Sequence, residues 1–188
     1  MDTRTITGLG LMTALVIVLQ VISNYVQIGP VSINLAIIPI VIGSIIYGPI
    51  VGLLLGFVDG AMILSAPSTA FFLTYNAWGT VLVCLIKTGA AGFISGFIPK
   101  IIKKEKISVI VCSVLVPIVN TGLFIVGCLL FFMPLLSESL GIVNLGGIIV
   151  TLIGINFLIE FGVLVVLSPT TYYIIKIIKK RYLLKKVD

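Results

Sequence analysis

The chain has 188 residues, of which 60% are hydrophobic and 10% charged, and its formal net charge is +6. So apolar a composition excludes a water-soluble protein, because too little polar surface remains to cover the core. The apolar runs are continuous rather than alternating, which excludes a transmembrane β-barrel. The basic residues lie at the ends of those runs, which favours contact with anionic lipid over nucleic-acid binding.

Apolar segments follow one another along the chain at lengths suited to membrane-spanning helices, which need ~20 residues. Gly-Pro pairs at positions 29–30 and 48–49 separate the first three segments, and the second and third are short. The sequence therefore predicts an all-α membrane protein, a bundle of six transmembrane helices in one integral membrane domain over residues 1–188. The predicted spans are 6–26, 33–47, 50–65, 78–98, 107–132 and 145–168, followed by a basic amphipathic helix over 172–186.

Basic residues indicate the orientation of these spans. The lysines between Lys100 and Lys106 and those of the C-terminal tail are expected on the cytoplasmic side, and six spans then bring Arg4 to the same side. Both termini are therefore predicted to be cytoplasmic. The polar segments 27–34, 66–77 and 133–144 should lie at the outer face.

Small residues recur every four positions in three of the predicted spans, a spacing that lets helix backbones approach closely. In spans three and four this pattern is typical of packing within the bundle. In span one, packing within the chain and contact with a partner protein both stay open. The residues concerned are Gly48, Gly52, Gly56 and Gly60 in span three, Gly92 and Gly96 in span four, and Gly10 and Ala14 in span one.

Charged and amide side chains fall inside the predicted spans, where a charge costs ~2.5–3.5 kcal/mol and must face protein or water. Asp59, Lys87 and Glu160 are charged, and Asn120 and Asn156 are neutral. One interpretation is that Lys87 pairs with Glu160 or Asp59 and fixes the register of the helices.

The other interpretation is a ligand pocket open to the outer face and covered by the segments 27–34 and 66–77. Tyr75 and Trp78 would supply flat apolar walls, although aromatic residues at this position are also typical of the membrane interface. The candidate ligand-binding residues are Asn34, Asp59, Tyr75, Asn76, Trp78, Lys87, Asn120, Asn156 and Glu160.

Sequence features of enzymes and metal proteins are missing. The chain has no histidine, no G-x-x-x-x-G-K-[ST] loop and no nucleophile–base pair, and its three cysteines are widely separated. We therefore expect neither an enzyme nor a protein with a metal or cofactor.

Three stretches together are similar to a known family. The first is Gly10-Leu-Met-Thr-Ala14 in span one. The second runs from Ile33 to Gly43 and on through Tyr47-Gly-Pro. The third is the outer loop before span four, together with Asn156 and Glu160 in the last span. Over nearly its whole length the chain resembles the substrate-binding S components of energy-coupling factor (ECF) transporters. Gly10 replaces the first alanine of the family's A-x-x-x-A contact.

The resemblance implies a high-affinity binding subunit for a vitamin-like compound in a bacterial or archaeal cell membrane, most similar to pantothenate- and pyridoxine-type members. It also implies a transmembrane coupling subunit, contacted through Gly10 and Ala14, and two ATPase subunits that supply the energy. A stand-alone small transporter or channel, or a membrane assembly protein, are the alternatives that the residues leave open.

Overall fold

The computed structural model of the chain describes residues 3–25, 27–28, 31–32 and 34–184. The turn predicted at 29–30, the first residue of the span predicted over 33–47 and the last two residues of the helix predicted over 172–186 lie outside these residues. A short antiparallel hairpin, β1 (Gln27–Ile28) and β2 (Val31–Ser32), follows the first helix. The helices are α1 (Thr3–Tyr25), α2 (Ile37–Tyr47), α3 (Pro49–Ile63), α4 (Pro67–Tyr75), α5 (Ala77–Ile101), α6 (Glu105–Gly127), α7 (Met133–Leu140), α8 (Leu145–Gly147) and α9 (Gly154–Leu184).

Two π-helical segments join helices that would otherwise be separate. Cys128–Phe132 continues α6 into α7, and Ile148–Ile153 continues the single turn of α8 into α9. Each π-segment inserts wider turns into a long helix, and such insertions are frequent at functional sites. The predicted spans over 107–132 and 145–168 are therefore longer, interrupted helices.

Four helical stretches in the described part of the chain are long and apolar enough to cross a membrane: Ile6–Tyr25, Ala77–Ile101, Glu105–Leu140 and Asn156–Lys180. A fifth exists if α3 and α4, which meet at an angle of 83°, count as one broken span. The prediction of a helical, multi-pass membrane protein is confirmed. Helix α2 has 11 residues, or ~16 Å at 1.5 Å per residue, so its role as a sixth span stays a prediction, as does the orientation of the termini.

Helix α4 lies in the segment 66–77 that the sequence indicated as a polar connection. Pro67 opens the helix, where its missing N–H is no loss. The Asn76 side chain then accepts a hydrogen bond of 2.9 Å from the Gly79 amide and caps the start of α5. These two residues convert the segment into a short helix followed by a sharp corner.

The glycines of α3 lie directly against α5. A Cβ atom added at Gly52 would collide with the Gly92 carbonyl oxygen, and one added at Gly56 would collide with the Thr88 carbonyl oxygen. The close approach allows the Thr88 hydroxyl to donate a hydrogen bond of 2.6 Å to the Gly56 carbonyl. The predicted close packing of these two helices is confirmed.

Two apolar clusters fill the bundle. The larger one surrounds α2, whose Ile37, Ile40 and Val41 pack with Val16 of α1 and Val109 of α6. The smaller one lies at the end of the bundle that α4 covers. It consists of Phe72, Val83, Cys128, Phe132, Leu136, Ile142, Ile148, Leu152 and Ile153. The candidate site lies beside this second cluster.

Candidate ligand-binding site

Two adjoining cavities lie between α1, α4, α5, α6 and α9. The first, here the aromatic chamber, has an empty volume of about 530 Å³, and the second, the polar chamber, one of about 380 Å³, each counted to its open mouth. Asn34, Lys87 and Phe124 line both chambers, so Lys87 stands where they meet. The aromatic chamber is also lined by Gln20, Ile63, Ser68, Thr69, Phe72, Thr80, Val83, Cys84 and Phe132, and the polar chamber by Asn120, Thr121, Leu152, Ile153, Asn156, Phe157 and Glu160.

Three phenylalanine rings form one wall of the aromatic chamber. The Phe72 ring meets the Phe132 ring and the Phe124 ring edge to face, with centroid distances of 5.0 and 6.0 Å. Phe72 belongs to α4, and the other two belong to α6 and its π-segment. The bend between α3 and α4 is what brings Phe72 to this wall.

The Lys87 ammonium lies 5.6 Å from the centroid of the Phe124 ring, a cation–π distance. Among the described residues, the basic side chain that lies within 4.0 Å of a carboxylate is Lys179, which pairs with Glu105 at 2.7 Å, away from the chambers. Lys87 Nζ lies more than 4.0 Å from the carboxylate oxygens of Asp59 and Glu160. The direct Lys87–carboxylate pair considered from the sequence is therefore not formed.

Amides, rather than Lys87, contact the two intramembrane carboxylates. The Asn34 side chain donates a hydrogen bond of 2.7 Å to Asp59, whose side chain is fully buried. Asn120 donates to Glu160 over 3.5 Å, the long limit of such a bond. Each carboxyl group thus has one amide partner on one oxygen, and each keeps a second oxygen without a hydrogen bond from the described residues.

Several buried oxygens around the chambers have no hydrogen-bond partner among the described residues. They include Gln20 Oε1, Asn34 Oδ1, Asp59 Oδ1 and Asn120 Oδ1. Leaving such a group unsatisfied costs ~1–3 kcal/mol, and buried polar groups in native proteins nearly always have a partner, water included. Water or a donor group of a bound molecule would satisfy the three of these residues that line a chamber, Gln20, Asn34 and Asn120.

A family model described as "ECF transporter, substrate-specific component" matches residues 4–172. The chain belongs to this family. A comparison with curated proteins and one with solved structures found no match. Substrate-specific components of ECF transporters are membrane-embedded transporter subunits, not enzymes, and they work with coupling and ATPase modules and a small-molecule substrate.

This S component brings together five of the residues that its sequence indicated for ligand binding. Asn34, Lys87, Asn120, Asn156 and Glu160 all line the chambers. Asp59 is joined to them through its hydrogen bond with Asn34. Side chains from four separate helices and the segment before α2 therefore converge on one place.

Other residues indicated by the sequence lie away from the chambers. Trp78 is 86% exposed and Tyr75 is 46% exposed. Asn76 and Trp78 line a separate apolar hollow with Gly79 and Phe131. The side chain of Asn76 is engaged in capping α5. A role for these residues in ligand binding stays a prediction.

Sequence reasoning missed part of the chamber lining in this S component. Gln20 of α1 is fully buried, donates a hydrogen bond of 2.8 Å to Asn24 and lines the aromatic chamber. The two amides of the first helix, Gln20 and Asn24, lie four residues apart within a mostly apolar segment, and this was a signal that could have found the site. Phe72 and Phe124 carried no such signal, because a phenylalanine in a membrane helix is ordinary.

Gly10 and Ala14 are both exposed on α1. A Cβ added at Gly10 would meet no other atom within 4 Å. Among the residues that the structure describes, Gly10 therefore takes no part in close packing between helices. Its predicted contact with a coupling subunit stays a prediction.

Proposed function

We propose that this S component binds a vitamin-like small molecule in the two chambers around Lys87. The observation that carries the proposal is the Lys87 ammonium, which lines both chambers with no carboxylate of the described residues within 4.0 Å. A charge inside a membrane protein is rare and costly, and it marks a functional site by default. The unpartnered amide oxygens around it support the same interpretation.

We further propose that the protein works as part of an ECF-type importer in a bacterial or archaeal cell membrane, with its N- and C-termini in the cytoplasm. A transmembrane coupling subunit contacts α1 at Gly10 and Ala14, and two ATPase subunits supply the energy. The exposure of both small residues supports this contact, since small side chains allow close helix approach. In this arrangement α2 is the sixth membrane element and the chambers open toward the outer face.

Helix α4 is the proposed cover of the site. Thr69 and Phe72 are the buried residues of α4, and both line the aromatic chamber. Ser68 of the same helix also lines this chamber, and the 83° corner with α3 lets the helix lie across the bundle rather than along it. This supports the expected lid over 66–77, in the form of a helix rather than a loop.

Native mass spectrometry of the gently purified protein tests the proposal. The wild-type protein should carry a stoichiometric vitamin-sized adduct, Lys87→Met should retain at most about a tenth of that occupancy, and the exposed control Lys106→Met should match the wild type. Absence of any adduct, together with failure to co-purify with ECF subunits, would refute the proposal. Substrate uptake by proteoliposomes that contain this chain alone would favour a stand-alone transporter instead.

A further inference from the structure

The two chambers differ in chemistry, and Lys87 separates them. On one side of the ammonium lie the rings of Phe72, Phe124 and Phe132. On the other side lie Asn120 and Glu160, a carboxamide and a carboxylate. A ligand that fills both chambers must therefore match an apolar wall, a cation and a hydrogen-bond acceptor, in that order.

We infer that the ligand is an amphoteric molecule built on a flat ring. Its ring lies against the phenylalanine wall, its carboxylate or phosphate pairs with Lys87, and an N–H or O–H group donates a hydrogen bond to Glu160 or Asn120. This inference rests on the proposed function of the site and names the chemical class of the substrate.

The charge requirement follows from what surrounds Lys87. Its ammonium has an aromatic ring at 5.6 Å and no carboxylate of the described residues within 4.0 Å, so a close anionic partner must come from the ligand. Ion pairs are far stronger away from bulk water than in it. A ligand with only positive charge would stand beside a like charge, which is unfavourable.

A ligand with only negative charge is equally unsuited to the site. Lys87 is the basic side chain among the described residues that line the polar chamber, so a second anionic group placed there would be buried without a counter-ion. Asp59 does not line either chamber, and Asn34 holds one of its oxygens at 2.7 Å. The chamber surface therefore presents one cation and one carboxylate, a pattern that selects for a molecule with both an anionic and a donor group.

The hydrogen-bond requirement follows from the polar chamber. Asn120 Nδ2 and Glu160 Oε1 are 3.5 Å apart, and Asn120 Oδ1 has no partner among the described residues. A donor group on the ligand would satisfy these acceptors. A site built for such a donor rejects an analogue that lacks it, because the acceptors would then be buried unpaired.

The ring requirement follows from the edge-to-face arrangement of the phenylalanines. Phe72 meets its two neighbours at interplanar angles of 82° and 68°, so the three rings support one another, and Phe124 is the least buried of them. Offset stacking or edge contact with a further ring adds ~0.5–1.5 kcal/mol beyond simple burial. An open-chain ligand would gain only the burial.

Identification of the adduct and a defined set of probes test this inference together. The reference probe is 4-aminobenzoate, which has a ring, an anionic group and a hydrogen-bond donor. Each of three further probes lacks one of these features: 4-aminobenzamide lacks the anionic group, benzoate lacks the donor, and pantothenate lacks the ring. Binding to ligand-depleted protein in nanodiscs is measured by thermal stabilisation. We expect 4-aminobenzoate to bind at least about tenfold more tightly than each of the other three, and the natural adduct to contain all three features.

Variants tie each preference to its residue. In Lys87→Met the preference for 4-aminobenzoate over 4-aminobenzamide should fall to about onefold. In Lys87→Arg, which keeps the positive charge, this preference should persist. Residual binding of 4-aminobenzamide to Lys87→Met shows that this variant is folded. In Glu160→Gln the preference for 4-aminobenzoate over benzoate should fall instead. Lys106→Met, an exposed residue outside the chambers, should keep both preferences.

The outcomes separate the two proposals. A natural adduct that is neutral, purely cationic or acyclic, or a charge preference that survives Lys87→Met, would overturn the amphoteric class and leave the binding function standing. A wild-type protein that carries no adduct, is stabilised by none of the probes and does not co-purify with ECF subunits would overturn the binding function and the ligand class with it. An amphoteric ring compound as the adduct would support both.

Discussion

The contact between α3 and α5 is so close that one methyl group should measurably destabilise the protein. In Gly52→Ala the added Cβ would lie 2.6 Å from the Ser44 Cβ and would overlap the Gly92 carbonyl oxygen. Because backbone C–H···O contacts settle at ~3.3–3.6 Å, the two helices would have to separate by about 1 Å. Separation stretches the Thr88–Gly56 hydrogen bond, now 2.6 Å. The clash with Ser44, which lies on α2, also disturbs the 2.5 Å contact of its hydroxyl with that of Ser95.

The magnitude follows from these contacts. Overpacking costs ~1–3 kcal/mol and each weakened hydrogen bond ~0.5–1.5 kcal/mol, while alanine regains ~1 kcal/mol of helix propensity. Gly52→Ala should therefore lower the free energy of unfolding by about 2 kcal/mol or more. Equilibrium unfolding in mixed detergent micelles measures this change.

Gly122→Ala is the matched control, since its Cβ would meet no atom within 4 Å. This variant should be unchanged or gain up to ~1 kcal/mol. Because Gly52 and Gly92 face each other, the double variant Gly52→Ala/Gly92→Ala should cost less than the sum of the single changes. Equal stability of Gly52→Ala and Gly122→Ala would show that the two helices do not pack through their glycines.

Three further predictions concern the surface and the ends of helices. Gly10→Leu or Ala14→Leu should leave ligand binding intact but abolish uptake by the reconstituted transporter, because a large side chain blocks close approach of the coupling subunit; normal uptake would refute that contact. Asn76→Ala should lower the free energy of unfolding by ~1 kcal/mol through loss of the α5 cap and should leave ligand affinity unchanged. A large loss of affinity would instead show that Asn76 contacts the ligand. Lys179→Ala removes a partly exposed ion pair with Glu105 and should change the unfolding free energy by less than ~1 kcal/mol, so a larger loss would mean that α9 depends on this pair.

The packing of α3 on α5 was open to prediction because a glycine has no side chain. A repeat of glycines every four residues in an apolar helix marks a bare strip whichever way the helix turns, and another backbone is what fits against it. The helical class was predictable for a similar reason, since continuous apolar runs in lipid must satisfy their own backbone groups. Neither inference needs knowledge of what stands next to the helix.

The partners of Lys87 were not predictable by the same reasoning. Sequence position gives the depth of a residue along a helix, at 1.5 Å per residue, and by depth alone Lys87 could reach either carboxylate. It does not give the rotation of one helix against the next. In the structure Asn34 donates a hydrogen bond to Asp59 and Asn120 donates one to Glu160, while the Lys87 ammonium lies over the Phe124 ring.

Tyr75 and Trp78 illustrate the same limit at a helix boundary. Both lie near the end of a predicted span, where an aromatic residue fits a pocket wall as well as a membrane interface. The corner at Asn76 sets the direction in which α4 ends and α5 begins, and this direction cannot be read from the sequence. Trp78 is left 86% exposed, while the aromatic wall is built from phenylalanines of α4 and α6.

Helix α1 shows how one polar residue can resolve an ambiguity that apolar residues cannot. Met12, Val16 and Gln20 recur every four positions and are buried, while Gly10 and Ala14, spaced alike, are exposed. At 3.6 residues per turn the two stripes lie on roughly opposite sides of the helix, and hydrophobicity does not distinguish a side facing lipid from one facing protein. Gln20 does, because lipid cannot satisfy its amide. The side of α1 that carries Gln20 must therefore face the chamber, which leaves the side with Gly10 and Ala14 turned away from the bundle.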